Sequence, residues 1–172
     1  MTSLRKYLLT ALACIFLSSS MSVLVSAQEQ TVILAGAELS RVVPPGFYFQ
    51  GLTATTQVRN SAAARFGANR HVIAGLVDTS GYAADVRSKY EGFLIADFAI
   101  AINGSDLGIG AYGFGFSNDG KLKVMDLAGN EILSVSTTKD AQLKRPRPLM
   151  MTKSGNEVRL YNGKDYAVIS AK

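Results

Sequence analysis

Hydrophobic and polar residues alternate along the second half of the chain. From residue 93 onward, apolar side chains occupy every second position, and one such series ends at the turn Asn103-Gly104: Leu94, Ala96, Phe98, Ile100 and Ile102. A period of two is typical of β-strands, in which successive side chains point to opposite faces. The series therefore predicts a strand with one buried face.

Turn sequences rich in asparagine and glycine then recur at short intervals. They separate apolar runs that we predict to be strands: residues 107–116, 121–127, 132–137, 149–153, 157–161 and 166–170. Short strands at this spacing are typical of antiparallel sandwiches and barrels. The pattern predicts a mainly β fold, a single antiparallel meander barrel or sandwich of roughly seven to nine strands.

The first half of the chain gives mixed signals. Short segments suited to strands or to a turn are residues 31–34, Pro44-Pro45-Gly46, 47–52 and 71–77. Two other segments carry apolar residues at helical spacing: Val58, Ala62 and Phe66 in one, Tyr82, Val86 and Tyr90 in the other. Since this spacing places them on one helix face, we predict one or two short helices, over residues 57–66 and 80–91.

A glycine pattern near the middle of the chain, Gly108, Gly110 and Gly113, matches the G-x-G-x-x-G sequence of dinucleotide-binding turns. That motif requires a helix that begins at the glycines, so that the phosphates meet its amino terminus. Here the glycines continue into Phe114-Gly115-Phe116 and a further turn, with no helical pattern after them. We interpret the stretch as a bent strand, and we expect no cofactor.

The residues of this strand change face near its middle. Apolar residues fall on odd positions up to Ala111 and on even positions after it, which predicts a β-bulge or a sharp bend there. Gly113 and Gly115 lie opposite the even positions and leave a space that a neighbouring element or a ligand must fill. The aromatic residues beside them are candidates to bind a small apolar ligand, with a packed core as the alternative: Tyr112, Phe114 and Phe116.

The amino terminus has the pattern of a secretion signal. Arg5 and Lys6 precede a long apolar run, which ends in Val25-Ser26-Ala27. This arrangement predicts a signal peptide over residues 1–27, cleaved after Ala27. An uncleaved membrane anchor is the alternative, because the run is about long enough to cross a bilayer. Lipid attachment at Cys14 is disfavoured, because strongly apolar sequence continues past it.

Cleavage leaves enough residues for one domain, with a connecting segment over 28–46 and a β-rich domain over 47–172. Cys14 is the only cysteine, so the mature chain has none, which excludes disulfides, thiolate metal sites and cysteine nucleophiles. Without Arg5 and Lys6, 16 basic residues remain against 13 acidic ones, a net charge of +3. This bias is too mild to indicate nucleic-acid binding.

Three stretches, GAYGFGFSNDGKLKVMDLAGNEILSV, KRPRPLMM and VRLYNGKDYAVI, carry a resemblance to known proteins. They resemble a group of small exported bacterial proteins with a GxYGxGF-containing β-rich domain, to which no function is assigned. The resemblance covers about residues 82–169. It implies export and a β-rich fold, and it implies no catalytic residues.

Candidate catalytic groups are few. His71 is the only histidine, and we find neither a metal-ligand spacing nor the sequence context of a catalytic triad around it. Asp97 lies within an apolar run, opposite the face that Leu94 begins. The interpretation we favour is a solvent-facing residue; the alternative is a buried acid with a partner or a raised pKa, beside the ligand. We predict no catalytic residues and no metal site.

Four cations gather around two prolines late in the chain: Lys139, Lys144, Arg145 and Arg147. Proline withholds a ladder hydrogen bond and keeps the stretch extended, which predicts a basic surface loop. Such a loop suits lipid headgroups, anionic polysaccharide or a partner's acidic patch. The interpretation we favour is a solvated loop that prevents edge-to-edge strand pairing.

The expected function follows from the signal peptide and the missing catalytic groups. We expect an exported, non-catalytic domain, periplasmic or extracellular, that binds a small hydrophobic or amphiphilic ligand. The alternative is a structural or protein-interaction component of the cell envelope, and an acid–base enzyme using Asp97 is less favoured. The expected partners are a small apolar ligand or an envelope protein, with membrane contact only through the signal peptide before cleavage.

Overall fold

The computed structural model describes residues 30–172 of the chain. The predicted signal peptide, its cleavage site after Ala27 and Cys14 lie outside the described residues. The described residues form 14 β-strands and two short α-helices. The mainly β, antiparallel class predicted from the sequence is confirmed, although the described residues contain more strands than the seven to nine predicted.

The elements follow one another along the chain as β1 (Thr31–Ile33), α1 (Gly36–Val42), β2 (Gly46–Phe49), β3 (Leu52–Phe66), β4 (Arg70–Val77), α2 (Ala84–Arg87), β5 (Gly92–Ala96), β6 (Ile100–Ile102), β7 (Ser105–Leu107), β8 (Gly110–Ser117), β9 (Lys121–Met125), β10 (Glu131–Ser136), β11 (Thr138–Lys139), β12 (Arg147–Ser154), β13 (Glu157–Gly163) and β14 (Asp165–Ala171).

The strands form two antiparallel sheets. The larger sheet has eight strands in the order β1-β3-β4-β5-β8-β9-β10, with β2 paired to β3. The smaller has six, in the order β12-β13-β14-β6-β7, with β11 paired to β14. One core of buried apolar side chains draws on both sheets. Of the two architectures predicted, the fold is therefore the sandwich.

The chain crosses between the sheets inside what the sequence presents as one strand. Residues 97–99 carry it from β5 in the larger sheet to β6 in the smaller one, and residues 108–109 return it from β7 to β8. The alternating series that begins at Leu94 is nevertheless buried throughout. Every second residue stays buried across the crossing because the inner faces of both sheets point toward the same core.

This crossing also explains the change of face that the sequence shows near Ala111. The predicted bulge there is wrong, because β5 and β8 pair without interruption from Gly92 opposite Phe114 to Ala96 opposite Gly110. The odd apolar positions do not share one face: Leu107 belongs to β7 in the other sheet, Ile109 is exposed, and Ala111 packs against the cluster on the outer face of the larger sheet. The glycine stretch does continue as a strand, as predicted, and no helix begins at it.

The predicted helix over residues 57–66 is wrong. These residues belong to β3, a strand that pairs with β1 on one side and with β4 on the other. Ala62, Ala63 and Ala64 are buried there. Alanine has no strong β preference, and partners distant in sequence override the local helical spacing.

A second cluster of buried residues covers the outer face of the larger sheet. Phe49 of β2 stacks on Tyr90 with ring centroids 4.0 Å apart, and Phe47 stacks on Phe93 of β5 at 5.0 Å. Tyr82 joins the same cluster, which confirms that it shares a buried face with Tyr90, although the helix predicted around them shrinks to α2. Packed structure begins at β1, within the predicted connecting segment.

Candidate functional site

The aromatic residues predicted to bind a ligand lie on the inner face of β8. Phe114 is fully buried in the core between the sheets, and Tyr112 and Phe116 are half-buried against it. The Tyr112 hydroxyl donates to the carbonyl oxygens of Gly108 at 3.0 Å and Ile109 at 3.3 Å. The three aromatic side chains therefore pack as part of the core, which is the alternative to ligand binding in the sequence-based prediction.

On the other side of β8, protein atoms fill the space directly over Gly113 and Gly115. A methyl group on Gly113 would overlap the ring of Phe49, and one on Gly115 would overlap the backbone carbonyl of Lys89. Phe49 reaches this position from β2, and Lys89 follows α2. The vacancy predicted from the glycines is thus closed by segments distant in sequence, which the local pattern does not reveal.

Asp97 lies at the surface, where the chain leaves β5. Its Oδ1 accepts a hydrogen bond from the His71 backbone N–H at 2.6 Å, and its Oδ2 lies 3.2 Å from His71 Nδ1. The exposure of Asp97 agrees with the solvent-facing interpretation. His71 has this partner because Asp97 continues the pairing of β5 with β4, in which Val72 lies opposite Ala96 and the Asp97 N–H donates to the His71 carbonyl.

The predicted basic loop divides between two strands and a loop. Lys139 ends β11, and Lys144 and Arg145 lie exposed in the loop that follows it. Arg147 begins β12 and is also exposed. Of the four cations, Arg147 is a wall residue of the cavity described below.

A cavity of about 420 Å³ lies where β1 and α1 meet the edges of both sheets. Its walls come from residues 33–36, 39 and 40, from residues 58, 59, 61 and 62 of β3, and from residues 147 and 149–151 of β12. Two further pockets are smaller, about 260 Å³ beside Tyr82 and about 200 Å³ beside Phe116. Small-molecule sites commonly enclose ~300–1,000 Å³, so the first cavity has the size of a ligand site.

Irregular strand pairing accompanies this cavity on two of its walls. Pairing between β3 and β4 jumps from Thr56 to Ser61, and pairing between β12 and β13 jumps from Arg147 to Met150. The Ser61 hydroxyl donates to the Gln57 carbonyl at 3.2 Å, which holds the displaced residues of β3 in place. Residues outside a ladder bend their strand, and both bent stretches line the cavity.

Apolar side chains form most of the cavity wall, among them Ile33, Leu34, Leu39, Val58, Leu149 and Met150. Val58 is 51% exposed, so part of this apolar wall is in contact with solvent. Arg59 and Arg147 also line the cavity, and the lining contains no acidic residue. No ion pair joins either arginine to a carboxylate of the described residues. The cavity is therefore apolar and bordered by positive charge.

Sequence reasoning singled out one residue of this cavity, Arg147, and missed the rest. The walls come from three segments that are far apart in the chain, and only the pairing of the strands brings them together. A local signal does exist in Pro146 to Met150, where an arginine between two prolines precedes Leu149 and Met150. A cation close to apolar residues in the sequence can form a surface that is both charged and apolar, as it does in this cavity wall.

Glu91 is a partly buried carboxylate that sequence reasoning did not single out. Its Oε2 accepts hydrogen bonds from the Phe116 backbone N–H at 2.9 Å and from Asn162 Nδ2 at 3.1 Å. Burial raises the pKa of Glu91, and the hydrogen bond from Phe116 opposes that rise. Asn162 belongs to β13, so this carboxylate links the larger sheet to the smaller one.

No known protein family matches the chain, and neither a curated protein nor a solved structure matches it. The resemblance to a group of exported bacterial proteins therefore stays a prediction. Among residues 30–172, no helix combines the length and the apolar character that crossing a membrane requires. Within the same range, no three histidine, cysteine or acidic side chains come together as a metal site.

Proposed function

We propose that the protein is an exported, non-catalytic domain that binds a small hydrophobic or amphiphilic molecule in the cavity between α1, β3 and β12. The observation that carries the proposal is the solvent-accessible apolar wall of this 420 Å³ cavity. Covering apolar surface is favourable by roughly 25 cal/mol per Å², so a ligand that excludes water from this wall gains affinity. The signal-peptide pattern supports export.

The composition of the wall supports binding over a simple packing irregularity. Met150 and Met151 both border the cavity, and unbranched thioether side chains adapt to ligands of different shape. The polar Ser61 hydroxyl already has a backbone partner, so a ligand is not required to satisfy it. The wall thus suits an apolar guest without strict directional contacts.

The test uses protein purified from cells that express the full chain, with its amino terminus read by mass spectrometry. Native mass spectrometry shows whether a small molecule stays bound, and a neutral fluorescent probe, N-phenyl-1-naphthylamine, measures binding. We expect the probe to bind the unaltered protein. Val58→Trp and Ser40→Trp each place a ring in the cavity from a different wall and should remove that binding.

The matched control is Ile109→Trp, because Ile109 is 70% exposed and lies outside the cavity lining. This variant should bind the probe as the unaltered protein does. Absence of probe binding in the unaltered protein, or equal binding in all variants, contradicts the proposal. Circular dichroism of each variant shows whether the fold is intact.

A separate observation favours the second candidate, a structural or protein-interaction role in the cell envelope. The turn between β2 and β3 contacts the loop after β9, since the Gln50 N–H donates to the Leu127 carbonyl at 3.0 Å. Three large apolar side chains on these two segments are exposed: Tyr48, Leu52 and Leu127. A photo-crosslinking residue at Leu127, but not one at exposed Glu157, should form a discrete adduct in intact cells if this surface binds a protein.

A further inference from the structure

We infer that the cavity selects single-chain amphiphiles with an anionic headgroup, a carboxylate or a phosphate, which Arg59 and Arg147 hold at its mouth. This inference rests on the proposed function and names the ligand class for the same site. The two arginines come from different walls, one from β3 and the other from β12. Both cations line the same cavity, so a headgroup in this cavity lies in a lining that contributes two positive charges.

The charge of the lining carries the first step. Both arginines are exposed, and neither forms an ion pair with a described carboxylate. Because the lining contains no acidic residue, no carboxylate in it competes for the guanidinium donors. Arginine presents its donors as a planar fork that matches carboxylate and phosphate oxygens, so an anion is the complementary headgroup.

The backbone around Arg147 carries the second step. Pro146 and Pro148 flank this residue, and each proline fixes its own φ. A residue that precedes proline is also confined to extended conformations, so Arg147 loses little backbone freedom when it binds a ligand. Lys144 and Arg145 are exposed just before it and add positive charge, which attracts an anion over a longer range.

The size of the cavity carries the third step. Its volume of about 420 Å³ lies in the lower part of the range for small-molecule sites, ~300–1,000 Å³. A single alkyl chain fits this volume better than a lipid with two chains. The apolar wall, with Val58 and Met150, receives the chain, and the arginines receive the headgroup.

The experiment compares amphiphiles that share a twelve-carbon chain and differ in headgroup. Dodecanoate, dodecyl phosphate, dodecyl maltoside and dodecyltrimethylammonium each displace the neutral probe, below their micelle-forming concentrations. A hydrogen bond to a charged group is worth about tenfold or more in affinity. We therefore expect both anions to bind at least about tenfold more tightly than the maltoside, with a preference that falls as salt screens the charges.

The variants Arg59→Gln and Arg147→Gln should each reduce this preference, and the double variant should abolish it while binding of the neutral maltoside stays. Arg87→Gln is the matched control, because Arg87 is exposed on α2 and lies outside the cavity. Equal affinity for all headgroups, or tighter binding of the cation, overturns the inference and leaves the proposed function standing. Failure of every amphiphile and of the probe to bind overturns both.

Discussion

Two regions of this sandwich differ in how the space beside a strand is used: protein atoms fill the space directly over two glycines in one, and a cavity is open in the other. On the outer face of β8, Gly113 and Gly115 lack side chains, and Phe49 and the Lys89 carbonyl occupy the space. Beside the bent part of β3, residues 33–36, 39, 40, 147 and 149–151 surround an open cavity. Protein atoms lie directly over the strand in the first region, and solvent reaches the strand in the second.

The difference lies in how tightly the covering segment is tied to the sheet. β2, which carries Phe49, pairs with β3 through four consecutive residues, and Gln50 is hydrogen-bonded to the loop after β9. At the cavity, the pairing of β3 with β4 and the pairing of β12 with β13 are both interrupted. Regular pairing thus delivers a side chain that fills the first space, and irregular pairing leaves the second open. The first region should determine stability, and the second should determine binding.

The largest expected effect comes from emptying the filled region. Phe49→Ala removes a fully buried ring that stacks on Tyr90, and substitutions of this kind cost about 3–5 kcal/mol. Urea unfolding followed by circular dichroism measures the loss. Phe49→Leu, which keeps part of the volume, should cost clearly less. A Phe49→Ala variant as stable as the unaltered protein contradicts the assignment of this region to stability.

Overfilling the same region should have the next largest effect. The added methyl group of Gly113→Ala overlaps the Phe49 ring, and overpacking of this kind costs about 1–3 kcal/mol. The control is Gly108→Ala, where the new methyl group lies 3.8 Å from the Tyr112 hydroxyl, an ordinary contact. Its cost should stay within about 0.5 kcal/mol. Thermal unfolding of the two variants side by side checks the contrast.

Glu91 follows Lys89 and Tyr90 of the filled region in the sequence. It should make the free energy of unfolding depend on pH. Its pKa is raised in the fold, so the folded chain binds a proton more tightly than the unfolded chain does. This contribution to the free energy of unfolding is complete below the ordinary glutamate pKa and is lost as pH rises through the raised one. Glu91→Gln should flatten that part of the stability profile. An unchanged profile, measured by urea unfolding across the window, contradicts the prediction.

The smallest effect on stability should come from the open cavity. Val58 is half exposed, so Val58→Thr, a substitution of similar shape, should change the free energy of unfolding by no more than about 0.5 kcal/mol. The same substitution places a hydroxyl on the apolar wall and should weaken probe binding. Unfolding and probe titration on one sample test both statements. A large loss of stability shows that the cavity wall belongs to the packed core.

Local patterns in the sequence predict the strands and their buried faces. The period-two series from Leu94 and the turn residues after it correspond to strands, because alternation and turn chemistry act between residues close together in the chain. The alanines of β3 mislead, because their strand state depends on partners at β1 and β4. Pairing between distant segments is not encoded in any short window.

The same reason limits prediction of the site. The sequence shows that Gly113 needs a neighbour, but it does not show that Phe49 is that neighbour. It marks Arg147 as a surface cation, and only the folded chain brings Arg59 to the same cavity. The charge or polarity of one residue can be predicted from the sequence. A site formed by segments distant in the sequence cannot be predicted in this way.

The crossing of the chain into the smaller sheet has a consequence for synthesis. The hairpin of β6 and β7 pairs with β14, where Ile102 lies opposite Ile169, near the carboxyl terminus. A growing chain therefore makes Ile100 and Ile102 long before the strand that completes their sheet has left the ribosome. Contacts between residues so far apart in the chain form slowly, and the apolar hairpin stays uncovered meanwhile. The sheet that contains this hairpin is therefore complete only after β14 has been made and has paired with β6.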